Sequence, residues 1–378
     1  MKDSKLSFET LALKSTEPFA GEVSPVSTPL YFSTTYHRNK DGSYDSGFVY
    51  SRTSNPNRLV LEKACAKLEG GHRGFAFASG MAGIEAVLKT LQTGEHIIIP
   101  DDAYFAVFKL IKEVFNRWGL SYTQVDMTEL EQVENAINEK TKMIWLESPS
   151  NPMLKITDIN AVTKIARDNN ILVAVDNTWP TPVVQNPIKM GADIVVHSTT
   201  KYFGGHSDVL GGVVVINKND KLEKHLEDIQ NLGGGVLSPF DSWLTARGLQ
   251  TLFLRVKAQS ENAFKLAEFL NENSNIEKVF YPGLPSHKGH EVVKKQMHNG
   301  FGAMLSVTVK GGEQKAIEIS NKLQLFTTAT SLGGVESLIE HRKSVEGPES
   351  NTPDNLLRIS VGLENIDDLI FDWQKALE

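Results

Sequence analysis

Between residues 74 and 216 the chain repeats one pattern: a short, nearly all-apolar run followed by a segment with helical spacing. The apolar runs are Gly74–Ser79, His96–Pro100, Lys142–Glu147, Ile171–Asp176, Ala192–His197 and Gly212–Ile216. Ala82–Leu91, Tyr104–Trp118 and Ile159–Asp168 carry apolar residues at helical intervals. A strand with one wet face alternates polar and apolar residues; these do not, so both of their faces need cover. A mostly parallel sheet with helices on each side meets that demand, and the expected class is α/β. No apolar run approaches the length that spans a bilayer.

The ends lack this pattern. Residues 1–60 are rich in Ser, Thr, Pro and Tyr, and read as an extended arm that needs something to lie on. A long helix is expected from about Asp241 to Asn273, joining the α/β part (61–245) to a smaller C-terminal α+β domain (246–378). Met304–Val309 and Leu357–Val361 read as strands of that second domain. A chain of 378 residues is long enough for such a division. Lys and Arg number 39 against 46 Asp and Glu, a net charge of −7, which argues against binding nucleic acid or an anionic membrane. Cys65 is the one cysteine, so no intrachain disulfide forms, and Met1–Thr10 has no apolar signal core. The expectation is a soluble cytoplasmic protein.

In an open α/β sheet the chemistry gathers at the carboxyl ends of the strands. Lys201 follows one apolar strand, in a Ser/Thr-rich turn before Gly204-Gly205. Most lysines in turns are solvated, but a desolvated one has a lowered pKa and becomes a nucleophilic amine for Schiff-base chemistry. Asp176 ends another strand, where a carboxylate either caps a turn or holds a pyridinium nitrogen protonated. Ser79-Gly80-Met81 is a strand-to-helix turn whose free N–H groups suit a phosphate, and Ser198 and Thr200 can add two hydroxyls. Tyr104 opens a helix, where its ring either packs in the core or stacks on a flat cofactor. Arg358 lies within an apolar strand and needs a partner, either a substrate carboxylate or a structural acid. His197 and His206 flank the Lys201 turn and read as structural hydrogen-bonding residues. No Gly-x-x-x-x-Gly-Lys-Ser/Thr loop is present, no Gly-x-Gly-x-x-Gly follows a strand, and the ten histidines show no metal-ligand spacing.

The stretch His197-Ser-Thr-Thr-Lys-Tyr-Phe-Gly-Gly-His-Ser-Asp208 resembles the signature of the Cys/Met-metabolism, or trans-sulfuration, enzymes that use pyridoxal 5′-phosphate (PLP). The resemblance runs from about Ser24 to the C-terminus. It includes Tyr50-Ser-Arg52, Ala78-Ser-Gly-Met81, Glu147-Ser-Pro-Ser-Asn-Pro152, Val175-Asp-Asn-Thr178, Ser331-Leu-Gly-Gly-Val-Glu-Ser337 and Leu357-Arg-Ile-Ser-Val-Gly-Leu-Glu364. It implies the aspartate-aminotransferase fold and a tetramer of tight dimers. It also implies γ-elimination or γ-replacement on cystathionine or an O-activated homoserine, with other members of the family as the alternative. On this resemblance Lys201 would hold PLP as a Schiff base, and Gly80, Met81, Ser198 and Thr200 would bind its phosphate. Tyr50 and Arg52 would reach that phosphate from the neighbouring subunit. Tyr104 would stack on the ring and act as an acid or base near the leaving group. Asp176 would pair with the ring nitrogen, and Thr178 would lie nearby. Arg358, Asn151 and Ser331 would hold the substrate carboxylate.

The distal pocket departs from the family pattern. Val49 and Thr330 stand where acidic residues are usual, and Phe105-Ala-Val-Phe-Lys109 replaces Gly-Gly-Thr-x-Arg. Ile339-Glu-His-Arg-Lys-Ser344 replaces a Met-Thr-His-Ala-Ser run. Loss of two carboxylates removes partners for a distal ammonium. Two readings stay open: a smaller or less charged substrate, or a pocket rebuilt by Arg342, Lys343 or Glu346 for the usual one.

Overall fold

The computed structural model describes residues 6–18, 25–347 and 350–378. The Met1–Thr10 segment and the 1–60 arm therefore fall partly outside the described residues. Seven strands form the larger sheet: β1 (Arg73–Phe77), β2 (His96–Pro100), β3 (Ser121–Val125), β4 (Thr141–Glu147), β5 (Leu172–Asp176), β6 (Ile194–Ser198) and β7 (Gly212–Ile216). Their order is β1-β7-β6-β5-β4-β2-β3, with β7 antiparallel to both neighbours and the other pairings parallel. The carboxyl ends of β1, β4, β5 and β6 thus share one edge. Five more strands form a second sheet: β8 (Ile276–Phe280), β9 (Met304–Val309), β10 (Thr327–Thr328), β11 (Leu338–His341) and β12 (Leu356–Ser360), in the order β10-β11-β12-β9-β8.

The two-sided burial expected from the apolar runs is present. In β7, Val213 and Val215 join one core cluster while Val214 and Ile216 join another on the opposite face. In β2, Ile97 and Ile99 face one way and Ile98 the other, all at 0–1% exposure. The first cluster continues through Leu252, Val256, Ala263 and Leu270 to Leu305, Ile359 and Trp373, so one core links the large sheet to the small one.

Two helix expectations need correction. The Tyr104–Trp118 segment is a five-residue α-helical turn at Phe105–Lys109, a π-helical turn at Leu110–Val114 and a 3₁₀ turn at Phe115–Trp118. Val107, Ile111 and Phe115, all buried, recur every fourth residue. A four-residue repeat stays within one face of a regular α-helix, so this spacing does not by itself distinguish the π-turn from one. The helix expected from 241 to 273 is two helices, Pro239–Leu249 and Leu252–Glu272, because the chain turns at Gln250 and Thr251.

That turn braces the Lys201 loop. Arg255 donates to the carbonyls of Tyr202 and Gly248, each at 2.8 Å. Gly248 lies so close that a Cβ there would sit 2.3 Å from the Phe203 carbonyl oxygen and 2.5 Å from that of Gly204. Residues 25–53, by contrast, contain no helix and only an isolated bridge between Thr35 and Tyr50. Gly248→Ala is expected to destabilise the protein by about 1–3 kcal/mol through overpacking. Urea unfolding measures this, and an unchanged midpoint would show that the helix and the loop are not pressed together.

Candidate active site

The shared strand edge opens into a cavity of about 470 Å³. Ser79, Gly80 and Met81 line it at the end of β1, Glu147 and Asn151 after β4, and Asp176, Thr178 and Trp179 after β5. Ser198, Thr200 and Lys201 enter from the end of β6. Thr330, Ser331, Arg342, Val345 and Arg358 close it from the second sheet and its connections.

Ser79 caps the Gly80–Leu88 helix, its Oγ accepting from the Ala82 N–H at 3.1 Å. The first N–H groups of that helix are left to point outward. Glycine is required at this corner by space. A Cβ on Gly80 would lie 2.9 Å from Ser198 Cβ and 3.0 Å from its Oγ, and one on Gly212 would lie 2.3 Å from the Ser79 carbonyl oxygen. Thr178 Oγ1 accepts from the Ser198 N–H at 2.9 Å, tying the ends of β5 and β6 together. Open N–H groups, two hydroxyls and bare glycine make a cradle that fits a phosphate.

Lys201 donates to Ser331 Oγ at 2.9 Å. Burial is the main cause of its pKa falling to about 8, and the Arg358 and Arg342 charges add to it against Glu340 and Asp176. Ser331 has a φ of 89°, in the left-handed region that a side chain enters at a cost of about 1–3 kcal/mol. In that conformation its Oγ meets Lys201 while its carbonyl accepts from Arg358 Nη2 at 3.3 Å.

Asp176 and Glu147 are paired neighbours in the β4–β5 register. Burial raises the pKa of both, and each is pushed differently after that. Asp176 is held down by hydrogen bonds from Thr178, whose N–H lies 3.0 Å away, and then by the His197 and Lys201 charges. Glu147 is raised well above the carboxylate range by burial and then by the Asp176 charge, although it accepts from the Tyr104 N–H at 2.8 Å. Arg358 donates to Asn151 Oδ1 at 3.1 Å and pairs with Glu340 at 2.7 Å. Burial lowers its pKa to about 10.

Two expected site residues do not line this cavity. Tyr50 is exposed, and Arg52 lies over its ring at 5.8 Å and donates to the Asn231 carbonyl. Val49 is also exposed and outside the cavity. Thr330 and Phe105 do line it, and exposed Lys109 stands over the Phe105 ring at 5.4 Å. Lys343 donates to the Ser350 carbonyl and lies outside. Sequence reasoning missed Glu147 and Trp179 as wall residues. Glu147 ends β4 and Trp179 lies three residues past β5, so the strand-end rule could have included them.

Comparison with known proteins agrees with this geometry. The family model for "Cys/Met metabolism PLP-dependent enzyme" matches residues 9–378. The cystathionine γ-synthase of Mycobacterium bovis is 46% identical over 358 residues, covering 93% of this chain and 92% of the mycobacterial one. The cystathionine β-lyase of Coxiella burnetii is 44% identical over 370 residues, covering 96% and 94%. The crystal structure of cystathionine γ-lyase from Lactobacillus plantarum, complexed with L-serine, superposes with a TM-score of 0.94 at 40% identity, covering 98% of each chain. The fold is that of a PLP-dependent enzyme. The chain belongs to the Cys/Met-metabolism family of such enzymes.

The pKa of Lys201 and the Gly80 corner give two expectations. In cofactor-free protein, modification of Lys201 by an amine-reactive probe rises with pH through about 8, because the neutral amine is the reactive form. Peptide mapping across a pH series reads this, and a rise centred near the ordinary lysine value would contradict the desolvated site. Gly80→Val places a branched side chain against Ser198, so PLP affinity should fall at least tenfold, and overpacking should lower the stability of the PLP-free protein by about 1–3 kcal/mol.

Proposed function

We propose that this enzyme catalyses γ-elimination or γ-replacement on cystathionine or an O-activated homoserine. The observation that carries the reading is the buried Lys201 amine, which shares one cavity with Asp176 and with the Arg358–Asn151 pair. The named relatives support the substrate class. The alternative of another member activity with an altered distal pocket is not favoured by them.

PLP, when bound, supplies an electrophilic aldehyde and a ring that accepts electrons from the Cα of an attached amino acid. Lys201 Nζ is the nucleophile that holds it, and the same amine, once free, removes the Cα proton as a general base. A pKa near 8 leaves part of the amine neutral at physiological pH. Ser331 Oγ holds Nζ in reach of the site. Asp176 would accept a hydrogen bond from the N–H of the cofactor ring, and Thr178 fixes the carboxylate. Gly80 and Met81 N–H, with the Ser198 and Thr200 hydroxyls, would hold the phosphate. Arg358 and Asn151 would orient the substrate carboxylate. Tyr104 would stack on the ring and move a proton at the γ-substituent. Trp179 and Ile84 form apolar wall and exclude water.

The N-terminal arm (1–60) contacts a neighbouring subunit on this reading, residues 61–245 carry the cofactor and 246–378 close the site. Tyr50 and Arg52 serve the phosphate of the neighbour's site, which accords with their exposure and their position outside their own cavity. A homotetramer of tight dimers in the cytoplasm is the corresponding assembly and location.

Product analysis after feeding L-cystathionine to the PLP-loaded enzyme tests the activity. Cysteine with 2-oxobutyrate is expected; homocysteine with pyruvate would overturn γ-chemistry in favour of β-elimination. Subunit sharing has its own test. Arg52→Ala and Lys201→Ala chains, each inactive or weak alone, should regain activity when unfolded and refolded together, because one site of each mixed dimer holds both native residues. Absence of any regain would refute the shared site.

A further inference from the structure

Arg358 is the inner end of a chain of buried charges. The β11–β12 ladder places Glu340 directly opposite it. One oxygen of Glu340, Oε2, lies 2.7 Å from Arg358 Nη2 and 2.5 Å from Arg342 Nη1. These three side chains are only 3–5% exposed. Arg342 continues outward to Glu346, with Nε at 3.1 Å and Nη2 at 2.6 Å from the same oxygen. The other oxygen of Glu346 accepts from the hydroxyls of Ser350 and Thr352, each at 2.5 Å. Arg342 also reaches the cavity wall, its guanidinium 6.0 Å from the centre of the Phe105 ring.

The charges alternate, so each arginine is held by a carboxylate. Two guanidinium groups this close in a dry region repel unless a shared anion stands between them. Arg358 is gripped on its inner side by Asn151 and the Ser331 carbonyl and on its outer side by Glu340. A guanidinium fork held on both sides cannot swing, and a bidentate carboxylate contact depends on the direction of that fork. Two of its members, Glu340 and Arg342, lie in the Ile339–Ser344 run that departs from the family pattern.

We propose that Glu340 is a positioning residue for substrate binding: its shared oxygen fixes the Arg358 fork that receives the α-carboxylate of the amino acid and ties that fork, through Arg342, to the outer wall of the pocket. This rests on the assignment of Arg358 to the substrate carboxylate made above. Glu340 also acts on the Lys201 amine through its charge, an effect that every amine probe shares, so its part in carboxylate binding is what differs between probes with and without that group.

The test uses the PLP-loaded enzyme and two probes, L-alanine and ethylamine, titrated against the visible absorption of the cofactor. Both present an amine and only one a carboxylate, so the ratio of their dissociation constants isolates the carboxylate contact. Glu340→Gln is expected to shrink that ratio by roughly tenfold, the scale of one charge-assisted hydrogen bond, while any change at the Lys201 amine cancels because both probes meet it. Glu340→Asp should restore part of it. Arg342→Lys, which loosens the outer link, should shift the ratio in the same direction and serves if the glutamine variant does not fold. An unchanged ratio in these variants, or a larger one because Glu340 had been competing for Arg358, overturns the proposal. Arg358→Lys separates the two levels: if that variant keeps the wild-type ratio, the carboxylate assignment itself has failed.

Discussion

Removing the Lys201 amine from water is the constraint on which the remaining arrangement depends. An amine in bulk water is protonated at neutral pH and is a poor nucleophile. Burial brings this one down to about 8. A dry amine needs walls, and walls at the end of a sheet need a sheet whose faces are already closed. The alternating apolar residues of β2 and β7 provide that closure on both sides. The Gly248 and Arg255 contacts then press the Lys201 turn against the joint between the two sheets.

The strands of the large sheet were legible because a doubly buried strand leaves an unbroken apolar run in the sequence. The bounds of β2 and β7 matched the reading to the residue. What escaped was set by contacts between distant segments. Nothing local in 104–118 announces a π-turn: Val107, Ile111 and Phe115 pack into one core cluster at a spacing that a regular α-helix also satisfies. The break at Gln250–Thr251 likewise answers to carbonyls of the 202–204 loop rather than to a proline or a weak propensity.

The cavity shows the same division. Motifs that follow a strand could be marked from sequence, and the structure gathers Gly80, Met81, Tyr104, Asn151, Asp176, Thr178, Ser198, Thr200, Lys201, Ser331 and Arg358 around one space. Tyr50 and Arg52 lie outside that space, and no strand-end rule applies to the arm that carries them. The Glu340–Arg342–Glu346 series was invisible as a unit because its meaning depends on the β11–β12 register. In the sequence it is only a run of charges near a strand.

The paired carboxylates at the ends of β4 and β5 have a consequence of their own. Glu147 and Asp176 stand side by side, each buried, and the charge of Asp176 helps to keep the proton on Glu147. Two acids coupled in this way titrate as a unit that gives up its first proton far more readily than its second. Burial and this mutual repulsion both oppose two negative charges at the strand edge. Geometry thus limits the charge that a pair of acids can bring to the floor of the cavity, one carboxylate helping to hold its neighbour's proton in place.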